Sequence, residues 1–178
     1  MTVKLIFLRI VQKFSFQRSN GIIFLSRYAK NMVLRSLSKV KVKTKIIPHG
    51  IEEKFLQKPK EQFSVLDYSP EKPFKIIYIS SVDFYKHQWN VVKAVSRIVA
   101  SGYPIRLDLY GSSNKQALKL LKKTISKFDK TNKFVRYNTE IDYSEIQKIY
   151  FSADMSVFSS SCETFGQILS EGMAAGLP

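Results

Sequence analysis

Apolar residues recur every three or four positions from Val3 through Phe7, Ile10 and Phe14, which predicts a helix over 3–16 with one apolar side. Gly21 then opens Ile22-Ile23-Phe24-Leu25, a continuous apolar run of the buried-strand type. Ser26 is placed to cap a helix reaching about Leu37, and a second short strand, Lys45-Ile46-Ile47, stops at Pro48-His49-Gly50. From Ile51 to Pro73 the periodicity fades into Lys, Glu, Gln and Pro, the composition of a linker. Beyond it strands are predicted at 74–79, 106–110, 134–137 and 154–158. Helices are predicted between them at 87–101, 115–128 and 143–151, with a last one at 165–175.

Strands alternating with helices of three or four turns predict a doubly wound α/β domain, a parallel sheet with helices on both faces and right-handed crossovers. Such sheets bind ligands at the carboxyl ends of their strands. Those ends carry Ser80-Ser81, Gly111-Ser112, Asn138-Thr139 and Ser159-Ser160-Ser161, small polar residues that let a ligand approach closely. The same residue types also make good turns, so no single loop decides the matter.

Charge adds a second layer. The 178 residues hold 29 Lys+Arg against 14 Asp+Glu, a net charge of +15. The excess is concentrated at the front, where residues 1–60 contain 14 Lys+Arg and only Glu52 and Glu53 as acids. An anionic partner suits such a segment, whether phosphate-bearing substrate, acidic membrane surface or nucleic acid; a merely solvated basic surface explains it as well. A lone cysteine, Cys162, excludes an internal disulfide framework and fits a reducing, cytoplasmic setting. With two histidines a zinc site would need unusual ligands, and no metal or cofactor is expected. Apolar runs as short as Leu5–Leu8 and Ile22–Leu25 cannot span a bilayer.

Neither a G-x-G-x-x-G fingerprint nor a P-loop is present. The strongest chemical candidate is the stretch from Cys162 to Glu171, where the last strand meets the last helix. Thr164 and Gln167 are spaced as a capping box, which predicts a helix starting at Phe165, with Gly166 leaving the first-turn amides open to a phosphate or sugar hydroxyl. Glu163 precedes the cap and Glu171 lies one turn beyond Gln167, so two carboxylates reach two places on an elongated ligand. An acidic cap region with an exposed helix glutamate is the plainer explanation of the same residues.

Glu163-x-Phe165-Gly166-x-x-x-x-Glu171, followed by Gly172-Met173-Ala174-Ala175-Gly176-Leu177-Pro178, resembles the signature of family-4 retaining glycosyltransferases of the GT-B fold. Three further segments resemble that family in the expected order. They are Phe24-Leu25-Ser26-Arg27-Tyr28, Ile47-Pro48-His49-Gly50-Ile51 at the interdomain crossing, and Asp154 to Ser161 leading into the signature. The resemblance implies the Rossmann-like C-terminal half of such an enzyme, incomplete at both ends. Residues 1–50 would be a remnant of the acceptor-side domain, 51–72 the interdomain linker and 73–178 the nucleotide-sugar-binding domain.

Carried over residue by residue, it implies that Glu163 contacts the donor sugar and Glu171 the ribose. The amides around Phe165 and Gly166 would face sugar or diphosphate, Lys86 would neutralise the diphosphate leaving group, and Asn138 and Thr139 would meet the nucleobase edge. The implied partners are a nucleotide sugar, a glycan or lipid-linked acceptor of the cell envelope, and an anionic membrane surface on the cytoplasmic side. Nucleic acid is not expected, although a noncatalytic basic module binding it is the rival reading. One departure matters: Ser81 stands where the family has an arginine, so the burden of the diphosphate falls on Lys86 and helix amides. A fragment of this kind is not expected to transfer sugar efficiently by itself. Among the remaining residues, His49 is the better-placed histidine because Gly50 permits close approach, while His87 reads as a helix-terminal residue. Cys162 reads as a small buried thiol and Trp89 as a packing residue.

Overall fold

The computed structural model describes residues 3–37, 42–59 and 61–178. The chain divides into two units, 1–50 and 51–178. In the first, helix α1 (Val3–Arg18) is followed by strand β1 (Gly21–Phe24), helix α2 (Arg27–Ser36) and strand β2 (Lys43–Ile46), which pairs parallel to β1. Ser26 caps α2 as expected, its hydroxyl accepting from the Ala29 amide at 3.1 Å. Two expectations change. β1 alternates, with Ile22 and Phe24 buried and Ile23 exposed, instead of being buried throughout. α1 exposes Ile6, Leu8 and Val11 as well as Val3, Phe7, Ile10 and Phe14, because these extra positions widen the apolar arc beyond one narrow side.

The second unit is built on a four-stranded parallel sheet in the order β5-β4-β3-β6. Its strands are β3 (Phe74–Ile79), β4 (Ile105–Tyr110), β5 (Val135–Asn138) and β6 (Met155–Ser156). Its helices are α3 (Gln88–Ala100), α4 (Lys115–Phe128), α5 (Tyr143–Ser152) and α6 (Gln167–Ala174). Successive side chains of β3 point to opposite faces, and the two cores follow from that alternation. Ile76 and Tyr78 join Leu107 and Leu109 of β4 beneath Val92 and Val95 of α3 and Leu121 of α4. Ile77 and Ile79 pack on the other face with Tyr150 of α5 and with Ala175 and Leu177 after α6. Helices therefore cover both faces, the doubly wound arrangement that the alternating pattern predicts.

Residues 51–72, expected to be a linker, fold instead as part of the second unit. A 3₁₀ turn at Glu53–Phe55 drives the fully buried Phe55 ring into the second core, edge-on to Tyr150 with ring centres 5.8 Å apart. The Gln57 amide donates to the Ala174 carbonyl at 2.9 Å. One large aromatic among charged residues leaves little periodic trace, which is why the segment reads as a linker. β6 is also shorter than predicted, although the Asp154 and Val157 amides extend its bonding onto β3 at either end.

Candidate functional site

The carboxyl ends of β3 and β4 are knitted together by the loops that leave them. Ser80 and Val82 donate backbone bonds to Tyr110 and Ser112, at 2.8 and 2.7 Å. Gly111 makes this approach feasible: at φ 137° it lies in a region L side chains rarely adopt, and a Cβ there would stand 2.5 Å from the Ser80 carbonyl oxygen. Above these loops opens a cleft of about 330 Å³. Ser80, Ser81, Gly111 and Ser112 line it with small polar groups, Lys86 with a cation, and Tyr85, Tyr110, Ile141, Ile146 and Ile168 with largely apolar surface.

Lys86 ends a 3₁₀ turn (Phe84–Lys86) started by Asp83, whose carboxylate accepts from the Phe84 amide at 2.6 Å. The side chain is buried rather than displayed at a helix start, and its ammonium forms an ion pair with Glu163. Its carbonyl is held from below by the buried Tyr78 hydroxyl at 2.7 Å and by Ser159 Oγ at 2.8 Å. Ser161 adds a backbone bond to the Tyr85 carbonyl at 2.8 Å, and His87 Nε2 stands 3.0 Å from Ser161 Oγ. The turn after β3 and the segment after β6 thus form one braced structure that fixes both partners of the ion pair. Burial works against ionisation of Glu163, but hydrogen bonds from Lys86 and Ser160 and the Lys86 charge outweigh it, holding its carboxyl below the usual range.

The helix start differs from the predicted capping box. Gly166, left-handed at φ 87°, is the residue before α6, with no side-chain cap, and the helix begins at Gln167 instead of Phe165. Thr164 is therefore not the cap: the left-handed glycine redirects the chain after it, so Thr164 and Phe165 belong to the loop. Glu171 is not an exposed helix glutamate either, being 2% exposed. Tyr150 Oη lies 3.3 Å from Glu171 Oε2 and 3.1 Å from the Ile168 carbonyl. Burial raises the Glu171 pKa, and hydrogen bonds from Gln167 and Tyr150 offset part of that. The Tyr150 hydroxyl is in turn pushed up by burial and by the Glu171 charge.

The other expectations divide. Ser81, Gly111 and Lys86 line the cleft, and Glu163 meets it through Lys86. Asn138 and Thr139 do not line it. β5 runs one residue further than predicted, so Asn138 stays in the strand with its amide 3.5 Å from the Leu109 carbonyl, and the loop reaches the cleft at Glu140 and Ile141. His49 is exposed and lies in the first unit. Cys162 is exposed, contrary to the buried thiol expected, because it sits in the open loop between β6 and α6. Trp89 packs against the first core with its ring 6.0 Å from Phe84. Tyr78 is not singled out by the sequence, where it is indistinguishable from any core aromatic, whereas Ser159 belongs to the strand-end serines expected at the ligand edge and braces the Lys86 carbonyl instead. Among the described residues no group of three or more His, Cys, Asp or Glu is placed to hold a metal ion, and no helix is long and apolar enough to cross a membrane.

A parallel sheet wound on both faces, with a buried cation at its carboxyl edge, defines a Rossmann-like ligand-binding domain. The family of glycosyl transferases group 1 matches residues 60–178, and the chain belongs to it. Its fold is similar to those of known GT-B glycosyltransferases. One is HepE of Anabaena in complex with UDP-glucose, with a TM-score of 0.76 at 17% identity, covering 96% of this chain and 47% of that one. Another is sucrose-phosphate synthase of Thermosynechococcus elongatus, with a TM-score of 0.76 at 23% identity, covering 96% and 42%. The pneumococcal O-GlcNAc transferase GtfA, in complex with UDP and GlcNAc, aligns with a TM-score of 0.68 at 22% identity, covering 94% and 31%. The chain therefore spans less than half the length of these proteins. Comparison with the curated proteins returned no match.

Proposed function

We propose that the chain supplies the donor-binding part of a retaining, family-4 type glycosyltransferase that moves a sugar from a nucleotide diphosphate to a cell-envelope glycan or lipid-linked acceptor. The observation that carries this reading is the buried Lys86 side chain that lines an open cleft, its ammonium paired with the Glu163 carboxylate. When the bond between sugar and diphosphate breaks, the electron pair leaves on a phosphate oxygen, and Lys86 offsets the growing charge in a site where water screens it little. Glu163, drawn toward Lys86 in the free protein, is positioned to accept hydrogen bonds from sugar hydroxyls once the diphosphate competes for that cation. A ribose role for Glu171, which lies buried under Tyr150, and a sugar-facing role for the Phe165 and Gly166 amides are supported by family membership and not by the lining of the cleft. No metal or redox cofactor has a role in this scheme. The basic first unit, with the exposed apolar residues of α1, supports a further proposal that the protein rests on an anionic membrane surface.

Titration calorimetry of the protein against uridine, guanosine and adenosine diphosphate sugars should reveal binding of at least one. Lys86→Ala should weaken it by roughly tenfold or more, and in the complete enzyme lower turnover by about 10²–10³. Unaltered binding and turnover in that variant would remove Lys86 from the chemistry. Salt-sensitive RNA binding with no affinity for any nucleotide sugar would favour the nucleic-acid module instead.

A further inference from the structure

We infer that Glu140 reads the nucleobase of the donor and selects guanine; this rests on the nucleotide-sugar reading of the cleft. Lys86 and Glu140 are the two charged residues lining the cleft, and they are of opposite sign. A diphosphate is drawn to Lys86 and repelled by Glu140, so the carboxylate belongs to another part of the ligand. Around the remainder of the cleft stand Ile79, Tyr110, Ile141, Ile146 and Ile168, apolar walls suited to a flat, uncharged ring. A carboxylate beside such a wall accepts hydrogen bonds and donates none.

The bases differ sharply as partners for an acceptor-only group. Guanine presents an imino N–H and an adjacent amino group side by side, which two carboxylate oxygens take together. Uracil presents one imino N–H flanked by two carbonyl oxygens that repel a carboxylate, and adenine and cytosine each set one amino group beside a ring nitrogen that is itself an acceptor. Glu140 is exposed on the loop that borders the cleft, within reach of solvent and ligand. It is carried there by a short, firmly anchored loop. β5 holds its start through parallel pairing with β4, and its end is fixed by Asp142, whose carboxylate accepts from the Ser144 amide at 2.8 Å to begin α5. Asn138 and Thr139, the residues first expected at this edge, fall short because the strand runs on past Tyr137.

Calorimetric titration of the protein with GDP, UDP and ADP tests the assignment. GDP should bind at least about tenfold tighter than either of the others, the difference a good paired contact to a base edge supplies. Glu140→Gln, a conservative change on an exposed loop, should lower GDP affinity by roughly tenfold and leave UDP binding unchanged or improved. UDP binding as tight as GDP to the unaltered protein, or a GDP-to-UDP ratio unmoved by Glu140→Gln, would overturn the base assignment while leaving the nucleotide-sugar reading intact. Failure of all three diphosphates to bind would overturn that reading and this inference with it. An unchanged melting temperature and UDP affinity in the variant separate a lost base contact from a lost fold.

Discussion

Two carboxylates of one helix-and-loop motif experience opposite environments. Glu163 has a cation and a hydroxyl beside it, which outweigh its partial burial, whereas Glu171 is sealed under Tyr150, where burial dominates. The consequences for stability have opposite signs. The lowered Glu163 pKa contributes stability that is present above the ordinary carboxylate value and is lost as pH falls through its folded value. The raised Glu171 pKa means that the native state holds its proton longer than the unfolded chain does, so stability falls as pH rises from the ordinary carboxylate value through the folded one. Glu171→Gln, which removes the charge and keeps the shape, should therefore raise the melting temperature at neutral pH by a few degrees and weaken nucleotide binding. Melting curves across the acidic range check the sign: the advantage of the variant should shrink as the solution is acidified. An advantage that stays constant with pH would contradict the role given to burial.

At the scale of elements, the site depends on a turn and a strand end that do not belong to the same βα unit. The 3₁₀ turn at 84–86 follows β3, and the serines at 159–161 follow β6, yet Tyr78, Ser159 and Ser161 tie them together through the carbonyls of Tyr85 and Lys86. The Tyr78 hydroxyl, raised in pKa chiefly by burial, remains a neutral donor throughout the working range. Tyr78→Phe should cost about 1 kcal/mol in stability, the net worth of one such bond. In a complete enzyme that contains this domain, the proposed role of Lys86 predicts lower turnover through a looser Lys86 with little change in donor affinity. Kinetics that separate kcat from KM provide the check, and a variant with normal kcat would show the brace to be purely structural.

For the whole molecule, charge and apolar exposure converge on the first unit. α1 carries Arg9, Lys13 and Arg18 with no acid, and its described apolar residues include Val3, Phe7, Ile10 and Phe14, all more than half exposed. Sedimentation with vesicles should show binding that grows with anionic lipid content and fades as salt is added, since each basic residue near such a surface contributes about 1 kcal/mol. Equal binding to neutral vesicles, or none to anionic ones, would remove the membrane proposal. The second unit has its own reason to stay intact: Phe55 closes its core from outside the sheet, so residues read as a linker are part of that unit.

The periodicities of two and 3.6 residues were enough to read the parallel α/β architecture, because burial of alternate strand faces and helix stripes is written directly into residue order. α4 begins and ends where that pattern predicts. The stretch from Glu163 to Glu171 stood out because it is local, but its helix starts at Gln167 after the left-handed Gly166 and not at Phe165 after a Thr164 cap. What order along the chain left open was everything that depends on distant groups meeting. The pairing of Lys86 with Glu163 spans 77 positions, and the bond between Ser159 and the Lys86 carbonyl spans 73. The burial of Glu171, the docking of Phe55 and the reach of Glu140 into the cleft likewise follow from the packing of separate segments. Tertiary structure decided these because the energy of a buried charge or ring depends on what surrounds it in space, which the neighbouring residues in sequence do not specify.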